Sequence, residues 1–388
     1  MSPHTRDALG GRAAIAGIGA TEFSKDSGRS ELTLAVEAVH AALDDAGLVP
    51  ADVDGLVTFT MDTSPEITVA QAAGIGELSF FSRIHYGGGA ACATVQQAAL
   101  AVATGIAEVV VCYRAFNERS GRRFGSGVQH REPSAEGAAL GWQLPFGLLT
   151  PASWVAMVAQ RYLHVYGLTP DAFGHVAVTD RRHAATNPAA YFYGRPITLA
   201  DHAASRWIAE PLRLLDCCQE TDGGQAIVVT SVERARDLRR PPAVITAAAQ
   251  GAGRGQEAMT SFYRDGLTGL PETGVVARQL WRTSGLAPGD IDVGILYDHF
   301  TPFVLMQLEE FGFCAPGEAA DFVAADALPL NTHGGQLGEA YLHGMNGIAE
   351  AVRQVRGTSL NQVPGAARVL VTAGTGVPTS GLILGADG

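Results

Sequence analysis

Basic residues are scarce in this chain: 27 Lys and Arg stand against 39 Asp and Glu, a net charge of −12 over 388 residues. Binding to a phosphate backbone needs concentrated Lys and Arg, so neither nucleic acid nor an anionic membrane is expected as the main partner, while a local groove for a phosphorylated cofactor stays open. Charge of either sign is low, at 17%, against about 25% in ordinary soluble domains. Long runs of Leu, Ile, Phe and Val are missing as well. Two uncharged stretches are long enough to span a bilayer, Gly87 to Ala107 and Gly137 to Gln160. The first is rich in Gly and Ala and the second is interrupted by Pro145 and Pro151, so both lack the apolar density that insertion requires and read as core. Near the N-terminus there is only a short apolar patch, Ala13 to Ala20, closed by Glu22. No signal peptide is evident, and a cytoplasmic location is expected. The five cysteines, Cys92, Cys112, Cys217, Cys218 and Cys314, show no CxxC spacing, which suggests neither a disulfide framework nor a zinc site.

What the chain has in quantity is glycine, 47 residues, within a composition that is 47% hydrophobic. Such a chain is expected to bury a large core. It also contains itself twice. Asp45-Ala46-Gly47-Leu48-Val49-Pro50-Ala51-Asp52-Val53-Asp54 precedes an apolar run, Gly55 to Phe59, and Thr283-Ser284-Gly285-Leu286-Ala287-Pro288-Gly289-Asp290-Ile291-Asp292 precedes Val293 to Leu296. Each copy follows an amphipathic helix pattern, Leu32 to Asp44 or Gly274 to Arg282, with Gly47 or Gly285 as its C-cap. Each helix follows an apolar strand, Ala13 to Ile18 or Ala243 to Ala248.

The correspondence continues. A glycine pair, Gly87-Gly88 or Gly334-Gly335, opens a small-residue helix ending at Gly105 or Gly357, and a buried strand follows, Val109 to Tyr113 or Val369 to Thr372. Continuous apolar strands alternating with helices predict parallel β-α-β units. The expected division is an N-terminal half over 1–240, interrupted by a loop or cap excursion over 117–215, and a C-terminal half over 241–388.

A duplicated α/β chain of this length resembles the thiolase superfamily, most of all its sterol-carrier-protein-type and lipid-transfer-protein branch, over essentially the whole chain. The segments that carry the resemblance are Ile15 to Phe23, Leu214 to Gly223, Asn331-Thr332-His333-Gly334-Gly335-Gln336-Leu337-Gly338 and Val371-Thr372-Ala373-Gly374-Thr375-Gly376. Leu296 to Phe303 and Leu337 to Gly347 point further, to the steroid side-chain retro-aldolases of actinobacteria. The resemblance implies a five-layer αβαβα thiolase fold, a homodimer, and a small companion protein with an OB-fold and a zinc ribbon.

Thiolases use an acylated cysteine, a second cysteine as base, and polar groups around the thioester oxygen. Counting back from Gly105, the nucleophile position falls on Gly88, and the second cysteine falls at Ala373 or Gly374. Both thiols are gone. Cys92, one helical turn beyond Gly88, reads as a packed core thiol. At the two oxyanion positions the chain carries Tyr297 and Tyr341. Without a thiolate no acyl-enzyme forms by the usual route, whereas retro-aldol cleavage needs only a base for a β-hydroxyl, donors for a developing enolate, and an acid.

The resemblance therefore implies cleavage of a β-hydroxyacyl-CoA steroid side chain to propionyl-CoA and a D-ring ketosteroid, with no cofactor beyond the substrate's own coenzyme A. Tyr297 is expected as base and Tyr341 as enolate donor, or the reverse. An ordinary phenol titrates near pH 10, so a tyrosine base needs a neighbour. His299, two residues along, is expected to face the same way, and Asp298, His333, Glu339 and His343 are further relay candidates. His333, Gly334, Gly335, His343 and Gly88 are expected to line the substrate. Arg119, Arg122 and Arg123 are candidates for coenzyme A phosphates, while Asp216, Asp222, Cys217 and Cys218 read as structural. Two rival readings remain: a thiolase or acyltransferase using Cys92, and a non-catalytic lipid or acyl-CoA carrier.

Overall fold

In the computed structural model, residues 9–85, 87–121, 123–126, 137, 141–257, 261–374 and 379–387 are described. The strands are β1 (Ala13–Ala20), β2 (Gly55–Phe59), β3 (Phe80–Ile84), β4 (Val109–Asn117), β5 (Trp207–Ala209), β6 (Leu212–Arg213), β7 (Asp222–Ser231), β8 (Ala243–Gly251), β9 (Val293–Ile295), β10 (Arg368–Ala373) and β11 (Thr379–Ala386). The helices are α1 (Glu31–Ala46), α2 (Glu66–Ala73), α3 (Ala91–Ala103), α4 (Pro151–Tyr166), α5 (Asp171–Thr186), α6 (Leu199–Ala204), α7 (Val232–Arg236), α8 (Pro271–Ser284), α9 (Thr301–Glu310), α10 (Ala319–Ala324), α11 (Gly335–Gly338) and α12 (Met345–Arg356).

Nine strands join in the order β3-β2-β4-β7-β1-β8-β11-β10-β9. The two ends of the chain meet where β1 pairs with β8 through Ala14↔Val244 and Ile15↔Ala243. The alternation of side chains along β4 defines the layers. Val109, Val111 and Tyr113 pack outward on α1 and α2. Val110 and Cys112 point inward, onto the Ala- and Val-rich faces of α3 and α12, which are shared with Val293, Ile295, Val369 and Val371 from the other half. Beyond those strands lies a third core built on α4, α5, α8 and α9. Two sheet halves thus sandwich two helices and are each covered by more, giving the expected five-layer αβαβα order.

Strand direction departs from expectation. Only β2–β3, β2–β4 and β9–β10 are parallel, whereas β7 and β11 each run antiparallel to both neighbours. Continuous apolar runs record burial on both faces, which the helical layers impose on every strand whatever its direction. The segment over 117–215 also differs from a loop, because it contains two 16-residue helices. Thr150 accepts from the Ser153 amide, Pro151 sits in the first turn and Gly167 adopts the left-handed cap of α4. These residues punctuate the helix rather than break it. The single helix expected from Gly334 to Gly357 is two, α11 and α12, separated by a loop through Tyr341 in which His343 and Gly344 both take positive φ.

Candidate active site

The site forms where the chain leaves β9. Tyr297 lies two residues past the strand and is fixed by its backbone: its amide donates to Thr372 Oγ1 at 2.9 Å, and its carbonyl accepts from Gln307 Nε2 at 2.8 Å. Thr372 comes from β10 and Gln307 from α9, so two elements of the second half aim this ring. Tyr341 is held from elsewhere. Its amide donates to Thr221 Oγ1 at 3.2 Å, and the preceding carbonyl, of Ala340, accepts from Asn346 Nδ2 at 3.1 Å. Two independent anchors bring the phenol oxygens to 3.1 Å from each other.

Around this pair, the His299 ring lies 4.8 Å from the Tyr297 ring and stacks on Phe303 at 5.1 Å. The His343 ring lies 4.7 Å from Tyr341, and its Nδ1 accepts from Arg114 Nε at 3.3 Å and Nη2 at 3.0 Å. Burial holds the Tyr297 hydroxyl well above its ordinary value, and the Tyr341 hydrogen bond opposes this only in part. Burial, then the neighbouring Tyr297, raises Tyr341 likewise. Both are neutral phenols. Burial pushes His299 down to about 3, and burial with the Arg114 charge lowers His343 far below the imidazole range. Each imidazole is therefore neutral.

Gly88, at the start of α3, faces the pair directly. A Cβ at this position would fall on the Tyr297 hydroxyl. Gly374 lies so close to the backbone of Gly88 and Gly89 that a side chain there would collide as well. Cys92 is fully buried, its thiol 3.8 Å from the Val371 carbonyl oxygen, and burial raises it far above a reactive thiol.

A family model described as "Thiolase C-terminal domain-like" matches residues 253–385. A steroid side-chain-cleaving aldolase of Thermomonospora curvata is 70% identical over 387 residues, covering 98% of this chain and 99% of that protein. The chain belongs to the thiolase-like superfamily. This thiolase-like chain is also 68% identical to the 17-hydroxy-3-oxo-4-pregnene-20-carboxyl-CoA lyase of Mycobacterium tuberculosis, covering 97% of this chain and all of that protein. A solved Ltp2–ChsH2(DUF35) aldolase superposes with a TM-score of 0.94 at 70% identity, over 98% of this chain and 99% of that one.

Several expected site residues of this thiolase-like chain do other work. Asp298 is not a relay: its Oδ1 and Oδ2 accept the Gln336 and Leu337 amides, each at 2.9 Å, and so cap α11. Gly334 and Gly335 do not line the substrate. A Cβ on Gly334 would lie 2.7 Å from the Ala184 Cα, and one on Gly335 would strike the Asp298 carboxylate. Both glycines exist to let α5 and Asp298 approach. His333 does border a small cleft with Leu296, Tyr297, Gln336, Gly344 and Thr372. Glu339 is held by Asn187 and Asn346 at 3.0 and 2.9 Å. Asp216 ties His202 to Thr301, and Asp222 caps the turn at Arg119 and Ser120. Arg123 is paired with Glu220, and Arg122, like Thr375 and Gly376, lies outside the described residues. Among the described residues no group of three or more His, Cys, Asp or Glu is gathered as metal ligands.

The sequence reasoning missed Arg114 and Glu118. Arg114 is wholly buried and paired with Asp62, and Glu118 is 2% exposed. A lone Arg inside the apolar run of β4 was the available signal, since buried arginines are almost always paired.

Proposed function

We propose that this chain is an aldolase that cleaves the side chain of a β-hydroxyacyl-CoA steroid, giving propionyl-CoA and a D-ring ketosteroid. The observation that carries the reading is the tyrosine pair itself: the Tyr297 hydroxyl fills the volume a nucleophile at Gly88 would need, and it is bonded to a second hydroxyl. The lyase name of the Mycobacterium tuberculosis relative supports the substrate class. A 17-hydroxyl is β to the thioester of a 20-carboxyl-CoA, so breaking the bond between carbons 17 and 20 leaves a ring ketone and a three-carbon acyl-CoA.

In this mechanism the substrate hydroxyl gives its proton to one phenol as the carbon–carbon bond breaks. The bond's electron pair enters the thioester as an enolate, which the other phenol stabilises by donating to its oxygen. Protonation at carbon completes the propionyl group. Tyr297, the deeper ring, takes the first role and Tyr341 the second, and exchanging them preserves the chemistry. Because both are neutral phenols, the accepting tyrosine passes its own proton on as it receives the substrate's. His299 contributes a neutral ring packed on Tyr297. No metal or redox group takes part in the step.

We further propose a cytoplasmic homodimer that works with a small OB-fold and zinc-ribbon companion, a reading supported by the ChsH2(DUF35) partner of the solved aldolase. Among the described residues, no helix is long and apolar enough to cross a membrane.

The test is mass spectrometry of products from the purified protein with its companion, given a 17-hydroxy steroid 20-carboxyl-CoA and no free coenzyme A. Propionyl-CoA and the 17-ketone are expected, with Cys92→Ala equally active. Turnover only on addition of free coenzyme A would restore the thiolase reading, and binding without turnover under both conditions would leave a carrier.

A further inference from the structure

Retro-aldol cleavage moves one proton from oxygen to carbon, and two neutral phenols cannot hold it alone. A third group must accept a proton while the enolate forms. Most groups near the tyrosines are already committed. The His343 Nδ1 receives Arg114, Asp298 is capped by two amides, and His299 is too weak a base at about 3. The Cys218 thiol is raised far above its ordinary value by burial.

Glu118 is different. It follows the last residue of β4, whose alternation points Arg114 and Phe116 toward the 341–343 loop, with the guanidinium over the Phe116 ring at 4.5 Å and bonded to His343. Glu118 is next in that alternation. Its neighbour Asn117 pairs with Asp222, one residue from the Thr221 hydroxyl that anchors Tyr341. Its side chain is buried, yet Oε2 has no hydrogen-bond partner among the described residues. A structural carboxylate in this position would be expected to pair with a cation. Arg114, however, is taken by Asp62 and His343, and Lys25 Nζ donates to Gln219 Oε1 at 3.0 Å and the Glu220 carbonyl at 2.5 Å.

We propose that Glu118 is the proton-holding carboxyl of this site, acting through the Tyr297–Tyr341 hydroxyl pair. The inference rests on the aldolase reading above. As the substrate O–H bond breaks, its proton passes to a tyrosine oxygen, and the tyrosine's own proton passes to the Glu118 carboxylate. The carbon–carbon bonding pair becomes the enolate. The Glu118 proton then returns through the pair to the α-carbon, and nothing is oxidised or consumed. Because it works through the tyrosines, Glu118 is a positioning residue for the proton.

The charged and titratable groups facing Glu118 are Arg114 on β4, Lys25 after β1, and Glu220 and Asp222 on the approach to β7. Cys218, Tyr297 and Tyr341 face it too, and each is raised by its charge. Burial holds the Glu118 carboxyl well above its ordinary value, and a base tuned upward in this way suits proton transfer near neutrality.

The experiment measures kcat and KM for the wild-type complex and for Glu118→Gln across roughly pH 5 to 9, on the same steroid acyl-CoA. In the wild type, kcat is expected to rise with pH through one ionisation above the ordinary carboxylate range. In E118Q, kcat is expected to fall about 100-fold with KM nearly unchanged and that ionisation absent. A wild-type profile in E118Q, or a reduced kcat that keeps the acid limb, overturns the proposal. If E118Q does not fold, Glu118→Asp carries the comparison: a displaced acid limb supports the proposal, and an unmoved limb or a flat wild-type profile overturns it. A wild-type complex that releases no propionyl-CoA overturns the aldolase reading itself, which is a separate result from cleavage that ignores Glu118.

Discussion

Two hydroxyls 3.1 Å apart in a buried site are worth more together than singly, because each polarises the other as charge develops. Tyr297→Phe and Tyr341→Phe should each lower kcat by about 100- to 1000-fold, as loss of one oxyanion donor does, with substrate binding largely intact. The double variant should be little worse than either single one, because the pair acts as a unit. Steady-state kinetics on the three variants checks this. His299 supplies a different residue-scale expectation. Its native value is about 3 against 6.5 for the free side chain, so below pH 6.5 the unfolded chain binds a proton that the native one refuses. The stability this residue confers is complete above pH 6.5 and is lost as pH falls toward 3, by an amount on the order of a few kcal/mol. Glu118 and Asp180 are raised by burial and act in the opposite sense, losing their contribution as pH climbs through their raised values. The difference between the wild-type and His299→Gln unfolding curves, from about pH 7 to 4, isolates the histidine; the gap should narrow as the acid is added.

At the scale of elements, α11 is four residues long and depends on its cap. Asp298→Ala should cost about 1 to 2 kcal/mol in chemical denaturation, and it should lower kcat as well, since the loop carrying Tyr341 begins where α11 ends. Elements with strong punctuation were legible in the sequence. Gly55–Phe59 is observed at its expected limits, and α1 and α8 end at left-handed glycines, Gly47 and Gly285, as read. The two long helices of the 117–215 segment were hidden because Pro151 and Gly167 look alike as breakers until the helix between them is known. Strand direction was hidden because a doubly buried strand has the same composition either way. At the site, Tyr297 and Tyr341 were legible by position. The environment of Glu118 was not, because four segments distant in sequence converge there, and no local pattern records that convergence.

For the molecule as a whole, the two halves are held by more than the short β1–β8 pairing. Arg356, at the end of α12, donates to Asp45 Oδ2 and the Ala16 carbonyl, both at 2.8 Å, and to the Pro241 carbonyl at 2.9 Å. Its side chain is only 4% exposed. One guanidinium thus ties α12 to α1, β1 and the entry to β8. Arg356→Met, which keeps the aliphatic stem, should cost about 3 kcal/mol and move the urea midpoint without altering the denaturant dependence. Activity should fall only where unfolding begins, because the tyrosines are anchored locally.

The contact between Gly88 and Tyr297 also bears on how such a chain changes its chemistry over generations. A thiol at 88 and a ring at 297 are alternative tenants of one volume. Adding the thiol first meets the ring, and removing the ring first leaves a void beside a glycine, with neither chemistry operating. No single substitution leads from one enzyme to the other through a working intermediate. The pair acts as a ratchet, and a lineage that has passed it returns only if both positions change together.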